Sequence, residues 1–370
     1  MTISILGEYI SQFGELWDKS LRHLLHQSAT QAIASADLKP TAIEAIFVAN
    51  MGAGILENQL HLGALVSSFF PHHPPAFRVE GACASGGLAV LTAQQFLLSG
   101  RFQTVLVVGA EKMTDVSPSL NTKFLTSAGD FNREYGSTFP VLYALLTQAH
   151  MQKYSTTRDM LSSVSVKNHR HALANPKAQF HKEFSLADVN QSELIADPIR
   201  LLDCSPISDG ASALVLTTKK TKSPQILASA YACDSLTLAD RRSLTQLQAT
   251  KIAADQCYQQ SGISAGDVEM AEVHDCFTIS EILATEDLGF FKKGQAGPAC
   301  LSGRTTYGGK IVINPSGGLK ACGHPVGATG IKQIAYISNL IRHKKINIGL
   351  THNLGGSGAT AVVHLLGGKL

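Results

Sequence analysis

Ala76-Phe-Arg-Val-Glu-Gly-Ala-Cys83-Ala-Ser-Gly-Gly-Leu-Ala-Val90 changes its grammar halfway along. The first residues read as a strand, Glu80-Gly-Ala as a tight turn, and the glycines after Cys83 open an apolar helix that ends near Gly100. Cys83 therefore sits at a helix N-terminus, where unpaired N–H groups and the helix dipole favour an anion and are expected to raise the thiolate fraction. The small neighbours Ala82, Ala84, Ser85, Gly86 and Gly87 are expected to let a bulky acyl group approach the sulfur. An inert buried cysteine is the commoner fate of a free thiol, but a strand-to-helix turn among small residues favours a nucleophile.

The same alternation runs outward along the chain. Strand-like Ala45–Asn50 and Thr104–Gly109 stand against helical patterns at Leu21–Ala36 and Gly86–Leu98. Late in the chain the helical Leu247–Ser261 and Ile279–Leu288 alternate with strand-like Val268–Val273, Ile346–Thr351 and Ala359–Leu365. This is α/β patterning, and its return predicts two similar halves, 1–222 and 223–370. Between them, roughly Asp115–Leu202 is richer in Ser, Thr, His and Asn without strand alternation, and reads as an insertion that covers a site or simply decorates the surface.

Three further segments carry chemistry. In Ala271-Glu-Val-His-Asp-Cys-Phe-Thr-Ile-Ser-Glu281 a strand leads into Thr278-x-x-Glu281, a capping-box signature for the next helix. His274 and Cys276 are two apart, so persisting strand geometry would turn both to one side at the C-terminal edge of a sheet. A His and a thiol together supply a hydrogen-bond donor and a proton carrier. In Asn314-Pro-Ser-Gly-Gly-Leu-Lys-Ala-Cys-Gly-His-Pro-Val-Gly-Ala-Thr-Gly330 the glycines and prolines predict a turn until about Ala328, with His324 pinned between Gly323 and Pro325. Such a His can take a thiol's proton. A phosphate cradle is the alternative, but the segment lacks the Lys-Ser/Thr ending of a P-loop. Thr351-His-Asn-Leu-Gly-Gly-Ser-Gly-Ala359 joins the last two strands, either as a plain hairpin or as a source of backbone N–H groups for an oxyanion. His72-His73 and His169/His171 lack the Cys or carboxylate spacing that would complete a ligand set, so no metal is expected.

Composition narrows the class. The 370 residues, 44% hydrophobic and 16% charged, can bury a substantial core. A net charge of +3 without a basic run gives no case for nucleic acid or an anionic membrane. Seven cysteines without C-x-x-C spacing predict reduced thiols rather than a disulfide or zinc framework. MTISILGEYISQFG lacks the parts of a signal peptide, no apolar run reaches membrane length, and the final Gly-Lys-Leu has Gly where a peroxisomal tail needs Ser. A cytoplasmic protein is expected.

Val-Glu-Gly-Ala-Cys83-Ala-Ser-Gly-Gly resembles the nucleophile motif of the thiolase superfamily, and Asn314-Pro-Ser-Gly-Gly through Gly323-His324-Pro-x-Gly-Ala-Thr-Gly resembles its activating-histidine motif. Asp203-Cys-Ser-Pro-Ile-Ser-Asp209-Gly-Ala is similar to a shared lead-in to a strand, and the likeness spans nearly the whole chain. Ordinary thiolases carry Asn-Glu-Ala-Phe at the third motif and Cys-x-Gly near the C-terminus. This chain has His274-Asp-Cys276-Phe and His352-Asn-Leu-Gly instead, which resembles the sterol-carrier-protein type and its prokaryotic acetyl-CoA acetyltransferase relatives.

The resemblance implies two βαβαβαββ halves in a five-layer αβαβα stack with an inserted loop domain, assembled as a homodimer or homotetramer with Cys83 near the two-fold axis. It implies Cys83 as nucleophile, His324 as its base, Cys276 as second acid/base, and His274, with water and His324, as one oxyanion hole. The backbone of Cys83, Gly355 and Gly356 would form the other. Ser205, Asn314 and Ser316 would contact substrate, and acyl-CoA and coenzyme A would enter as substrates with no tightly bound cofactor. The implied reaction is a ping-pong acyl transfer between acyl-CoA and acetyl-CoA, or its reverse, thiolysis. A hydroxymethylglutaryl-CoA synthase and a small zinc-and-OB-fold acyl-CoA-binding protein are the partners the resemblance suggests. Related condensing enzymes of the ketoacyl synthase III or hydroxymethylglutaryl-CoA synthase kind lack a second Cys at this motif. A lipid- or acyl-CoA-binding protein without turnover has no need of all four of Cys83, His274, Cys276 and His324.

Overall fold

The computed structural model describes residues 3–134 and 136–368. Its main sheet uses β1 (Ile3–Ile10), β2 (Ala45–Ala49), β3 (Ala76–Val79), β4 (Thr104–Glu111), β7 (Gly210–Thr217), β8 (Gln225–Cys233), β9 (Met270–Glu272), β10 (Val312–Ile313), β11 (Ile348–Gly355) and β12 (Thr360–Gly367). A small hairpin, β5 (Leu194–Ala196) with β6 (Ile199–Arg200), stands apart. The main sheet runs β3-β2-β4-β7-β1-β8-β12-β11-β9-β10.

Counted from either outer edge, each half reads third, second, fourth, fifth, first, and the polarities agree. The three outer strands of each half are parallel and the inner pairings antiparallel. The halves join at a short seam, Ile3↔Ile226 and Ser4↔Gln225. The expected repeat is thus present as a topological fact, although β8 (QILASAYAC) is too rich in small residues to announce itself.

Burial explains the layers. β2 and β4 are buried along their whole length, as strands covered on both faces must be. On one outside lies helix Leu21–Ser35, whose Ser20 caps His23 N–H and whose Leu21, Leu24, Leu25, Ala29, Ala32 and Ile33 make one apolar stripe. On the other lies Gln248–Ser261, closed by Gly262 in the left-handed region. Between the halves run Ser85–Leu98 and Val326–Arg342, packed on each other and on both sets of strands. Ile331, Ile334 and Ile337 are fully buried there, each contributing roughly 2 kcal/mol by removal from water. The result is five layers, helix-strand-helix-strand-helix.

The central helices cross with backbones in contact. A Cβ on Gly86 would meet Gly330 N at 2.8 Å, and one on Gly330 would meet Gly87 N at 2.2 Å. These glycines serve a helix crossing, which corrects the expectation that they open space for an acyl group. The segment after Asn314 is also more regular than expected, with a short helix at Gly318–Cys322 and the long helix starting at Val326. Thr278 and Glu281 form no capping box: Thr278 Oγ1 donates to Asp203 at 2.8 Å, and Glu281 accepts from Lys167, Asn168 and Asn314. Between β4 and β7 the regular structure is mainly helical, with Phe139–Tyr154 and Arg158–Ala172 the longest pieces.

Candidate active site

Four loops at the C-terminal ends of parallel strands converge on one cavity. Cys83 follows β3, His274 and Cys276 follow β9, His324 follows β10 and its short helix, and Gly355–Gly356 ends β11. Cys83 and His324 occupy equivalent strand-to-central-helix turns in the two halves.

The Cys83 turn is held in an unusual conformation. Ala82 has φ 51°, a left-handed value that a non-glycine residue rarely adopts. Ser85 fixes it, accepting from Gly81 N–H at 3.0 Å and donating to Ala82 O at 2.6 Å. Asn353 closes it from the other half: Nδ2 donates to Cys83 O at 2.9 Å and Oδ1 accepts from Gly87 N–H at 3.0 Å. Two backbone partners of opposite kind orient that amide, so its second N–H points to His274 Nδ1, 3.3 Å away. His274 Nδ1 must then accept, and its hydrogen lies on Nε2.

His324 is set the opposite way. Thr329 Oγ1 lies 3.0 Å from Pro325 O and 2.8 Å from His324 Nδ1. The carbonyl can only accept, so it takes the hydroxyl proton, Nδ1 carries a hydrogen, and Nε2 keeps its lone pair. Both Nε2 atoms are buried without a partner among the described residues, and the rings meet edge-on with centroids 5.0 Å apart. One imidazole thus offers the site a donor and the other a base.

Supporting contacts cross between halves. Ser208 Oγ accepts from His324 N–H at 3.0 Å, and Glu111 accepts from Gly327 N–H at 2.8 Å at the start of the following helix. Behind the His274–Cys276 loop, Asp275 accepts from Leu319 N–H at 2.6 Å and from Asn168 at 2.7 Å, which ties the two catalytic loops to helix Arg158–Ala172.

Burial makes the resting site neutral. Burial above all, then the neighbouring Cys276 and Glu111, push the Cys83 thiol well up, against N–H groups of Gly356 and Cys83 itself that pull it down. The expected gain in thiolate from the helix N-terminus is therefore outweighed. Burial likewise lifts Cys276 to about 12 and lowers His324 to about 3 and His274 well below its ordinary value. Two protonated thiols face two neutral imidazoles, and charge appears only as reaction proceeds.

The same burial predicts acid sensitivity. His169, His171, His324 and His352 titrate at about 3 and His364 at about 4 when folded, against 6.5 when exposed. Below pH 6.5 the unfolded chain binds protons that the folded one refuses, so stability falls as pH falls. At pH 5 each such histidine costs about 2 kcal/mol, and the buried Glu111 and Asp275 carboxyls, both raised to about 7, offset only part of the five-histidine sum. The thermal midpoint is expected to drop steeply between pH 7.5 and 5.5, and an unchanged midpoint by calorimetry would refute neutral burial.

The cavity, of about 180 Å³, is lined by Cys83, Cys276, His324, Gly356 and Ser205 with apolar walls from Met113, Leu125, Tyr143 and Phe277. A larger hollow of about 510 Å³ shares Phe139 with it but holds none of these cysteines or histidines. Ser205 N–H donates to Cys276 O at 2.8 Å, placing Ser205 at the cavity. Asn314 and Ser316 are not brought there. Asn314 bridges Val273 N–H and Glu281, and Ser316 bonds Glu272 and Lys332, all fully buried. Glu272 carries that second network, and the expected substrate contact at both residues gives way to a scaffold role.

Asn353, Thr329, Tyr143, Glu111 and Ser208 were not singled out by sequence. Asn353, beside the Gly-rich turn, Thr329, in the His324 motif, and Ser208, just before Asp209, lay in segments that stood out, whereas Tyr143 and Glu111 carried no local signal. Replacing Asn353 with aspartate, which cannot donate, is expected to move the His274 hydrogen to Nδ1 and lower kcat about a hundredfold with little change in KM. Nitrogen-15 shifts of the histidines would report the tautomer, and an unaltered Nε2–H signal would refute the assignment. Cys83, His274 and His324 also bring a sulfur and two ring nitrogens within 4.8 Å of one another, as a metal would need. Ligation through His274 Nε2 would, however, force an Nδ1 hydrogen against the Asn353 N–H, so the donor set suits proton transfer better than a metal.

A family model described as thiolase, N-terminal domain matches residues 4–220, and one described as thiolase C-terminal domain-like matches 230–368. The chain belongs to the thiolase family. An acetyl-CoA acetyltransferase of Methanothermobacter thermautotrophicus is 42% identical over 98% of each chain, and one of Methanocaldococcus jannaschii is 40% identical over 99% of each. Sterol carrier protein 2 of Bos taurus is 32% identical over 92% of this chain and 67% of its own. Among solved structures, the Ltp2-ChsH2(DUF35) aldolase superposes with TM-score 0.84 at 23% identity, covering 99% of this chain and 98% of that one. An acetyl-CoA acetyltransferase from Syntrophomonas wolfei superposes with TM-score 0.76 at 18% identity, covering 100% and 99%. Both share this thiolase fold.

Proposed function

We propose that the chain is an acetyl-CoA C-acyltransferase working through a Cys83 thioester. The observation that carries this reading is that two thiols and one imidazole lone pair line a single largely apolar cavity, with a ring nitrogen of a second imidazole, His274, within 4.8 Å of the Cys83 sulfur. His324 Nε2 takes the Cys83 proton as sulfur attacks the acyl-CoA carbonyl. The tetrahedral oxyanion is held by backbone N–H groups of Cys83 and Gly356, the C–S bond to coenzyme A breaks, and the His324 proton leaves with the thiol.

In the second half Cys276 passes its proton to His324 and, as thiolate, removes a proton from the methyl of acetyl-CoA. The enolate oxygen is held by His274 Nε2–H. The carbanion attacks the thioester, Cys83 leaves as thiolate, and His324 reprotonates it, so the enzyme returns to its starting state and a 3-ketoacyl-CoA is released. Thiolysis is the reverse.

The cavity volume supports short acyl groups, since about 180 Å³ holds roughly six water-sized units. Ser205 and the insertion around Phe139 would hold the pantetheine arm. Free thiols throughout, and no described helix long and apolar enough to cross a membrane, are consistent with a cytoplasmic enzyme. The open edge strand β3, with Phe77 38% exposed, supports a homodimer or a dimer of dimers. A zinc/OB-fold acyl-CoA-binding protein and a hydroxymethylglutaryl-CoA synthase would be its partners, and the Ltp2-ChsH2(DUF35) aldolase, which joins a chain of this fold to a second protein, supports an assembly of that kind.

Thiolysis of acetoacetyl-CoA and of a longer 3-ketoacyl-CoA by free coenzyme A tests the reading. Turnover is expected with the short substrate favoured at least tenfold in kcat/KM, the order of discrimination a few methylenes give in an apolar pocket. Preference for the long chain would overturn the size argument, and no turnover with either would overturn the function.

A further inference from the structure

Tyr143 belongs to the insertion yet sits at the centre of the site. It lies in the second turn of helix Phe139–Tyr154, is fully buried, and faces the cavity beside Cys83, Cys276 and Gly356. Its ring stacks on Phe277, the residue after Cys276, with centroids 4.4 Å apart and planes at 24°. The phenol is thereby fixed relative to the Cys276 loop.

The hydroxyl is less firmly committed. It donates to Gly356 O across 3.3 Å, long for an O–H···O bond. The Cys276 thiol lines the same cavity wall, and within shifts that burial dominates the two groups act on each other: the Tyr143 hydroxyl draws the thiol down while Cys276 pushes the phenol up. A neutral thiol is a poor acceptor and leaves the proton with the carbonyl. A thiolate forms a charge-assisted bond and wins it, at the cost of one hydroxyl rotation.

Of the other groups facing Cys276, the Phe277 N–H favours the thiolate with one hydrogen bond and leaves room for a second donor. Ser280, also against the thiol, donates its proton to His274 O at 2.6 Å. Arg241 lies behind the turn, donating to Ser357 O at 2.7 Å and Ser357 Oγ at 3.1 Å, and its charge favours an anion on the Tyr143 side of the cavity. Asp275, next in sequence, opposes the thiolate.

We propose that Tyr143 is a positioning residue for Cys276, its hydroxyl swinging from the Gly356 carbonyl to the sulfur to hold the thiolate during carbon–carbon bond making and breaking, with no part in loading Cys83. This rests on the two-thiol reading above and adds a division of labour: the insertion supplies a group that serves only the second half-reaction.

Tyr143→Phe keeps the ring and the stack. Three quantities are read on wild type and variant: the rate of Cys83 acetylation by quenched mass spectrometry, deuterium exchange from water into the methyl of acetyl-CoA, and thiolysis of acetoacetyl-CoA across pH. Acetylation is expected within twofold of wild type. Exchange and thiolysis are expected to fall about ten- to a hundredfold, the worth of a hydrogen bond to a charged group, at every pH at which the enzyme is folded. 3,5-Difluorotyrosine at position 143, a stronger donor, should bring both rates back to the wild-type level. Equal loss in acetylation and exchange would make Tyr143 merely structural, and no loss in either, or a difluorotyrosine variant as slow as Tyr143→Phe, would also overturn the proposal. Wild type that fails to acetylate Cys83 at all would instead overturn the two-thiol reading, and with it this inference.

Discussion

His324→Ala is expected to slow acetylation of Cys83 about a thousandfold, in the middle of the range for removal of a positioned general base. The reason is electrostatic. Burial keeps the Cys83 sulfur protonated at neutral pH, and the unpartnered Nε2 of His324 is the lone pair placed to relieve it. Neither the Gly356 N–H nor the Cys83 N–H removes a proton; each stabilises charge only after it has formed. In the variant, deprotonation falls to solvent, so acetylation should climb close to tenfold per pH unit through the alkaline range where wild type is flat. A variant that acetylates at the wild-type rate, or whose rate is flat with pH, would show that the thiol is ionised without His324.

Cys276→Ala should separate the half-reactions. Cys83, His324 and the backbone N–H groups are untouched, so acetylation and its reversal by free coenzyme A are expected to survive within a few-fold. Condensation and acetoacetyl-CoA thiolysis should fall by about three to four orders of magnitude, because the remaining titratable side chains of the cavity wall besides His324 are poor replacements: burial holds the Tyr143 phenol well above its ordinary range, and it lifts the Cys204 thiol to about 12, with that thiol's hydrogen turned to Arg200 O. Rapid-quench assays of each half-reaction make the comparison. Parallel loss of both would mean that Cys276 supports the site rather than acting in it.

These outcomes hinge on residues of unequal legibility. Cys83 was readable because a strand, a turn and a glycine-started helix are local patterns, and the strand-to-helix turn is where the fold puts it. His324 and the His274–Cys276 pair were readable as candidates from Gly-Pro punctuation and from a His and a thiol two residues apart, although the strand stops at Glu272 rather than persisting to Cys276. What they do with their protons was not. The tautomers depend on Thr329 and on Asn353, the latter 79 positions from His274, and the thiol's reluctance to ionise depends on burial that no window of sequence reports.

Glycines misled for a related reason. Gly86 and Gly87 looked like space for a substrate, yet they are where two central helices touch across more than half the chain. Glu281 fitted a local capping pattern but was taken by Lys167, Asn168 and Asn314, partners from two other segments, because a buried carboxylate must be paired. The repeat of the fold was visible in its helices and its longest strands. β8 and the two-residue β10 were not, since alanine-rich or very short strands draw their stability from neighbours on the sheet rather than from their own composition.

The thioester on Cys83 is the claim on which the rest depends, and peptide-resolved mass spectrometry of wild type and Cys83→Ala after brief mixing with acetyl-CoA tests it most directly. One acetyl group on the Cys83 peptide of wild type, removed by free coenzyme A and absent from the variant, is the predicted result. Acetylation confined to another cysteine, or turnover that persists in Cys83→Ala, would contradict it.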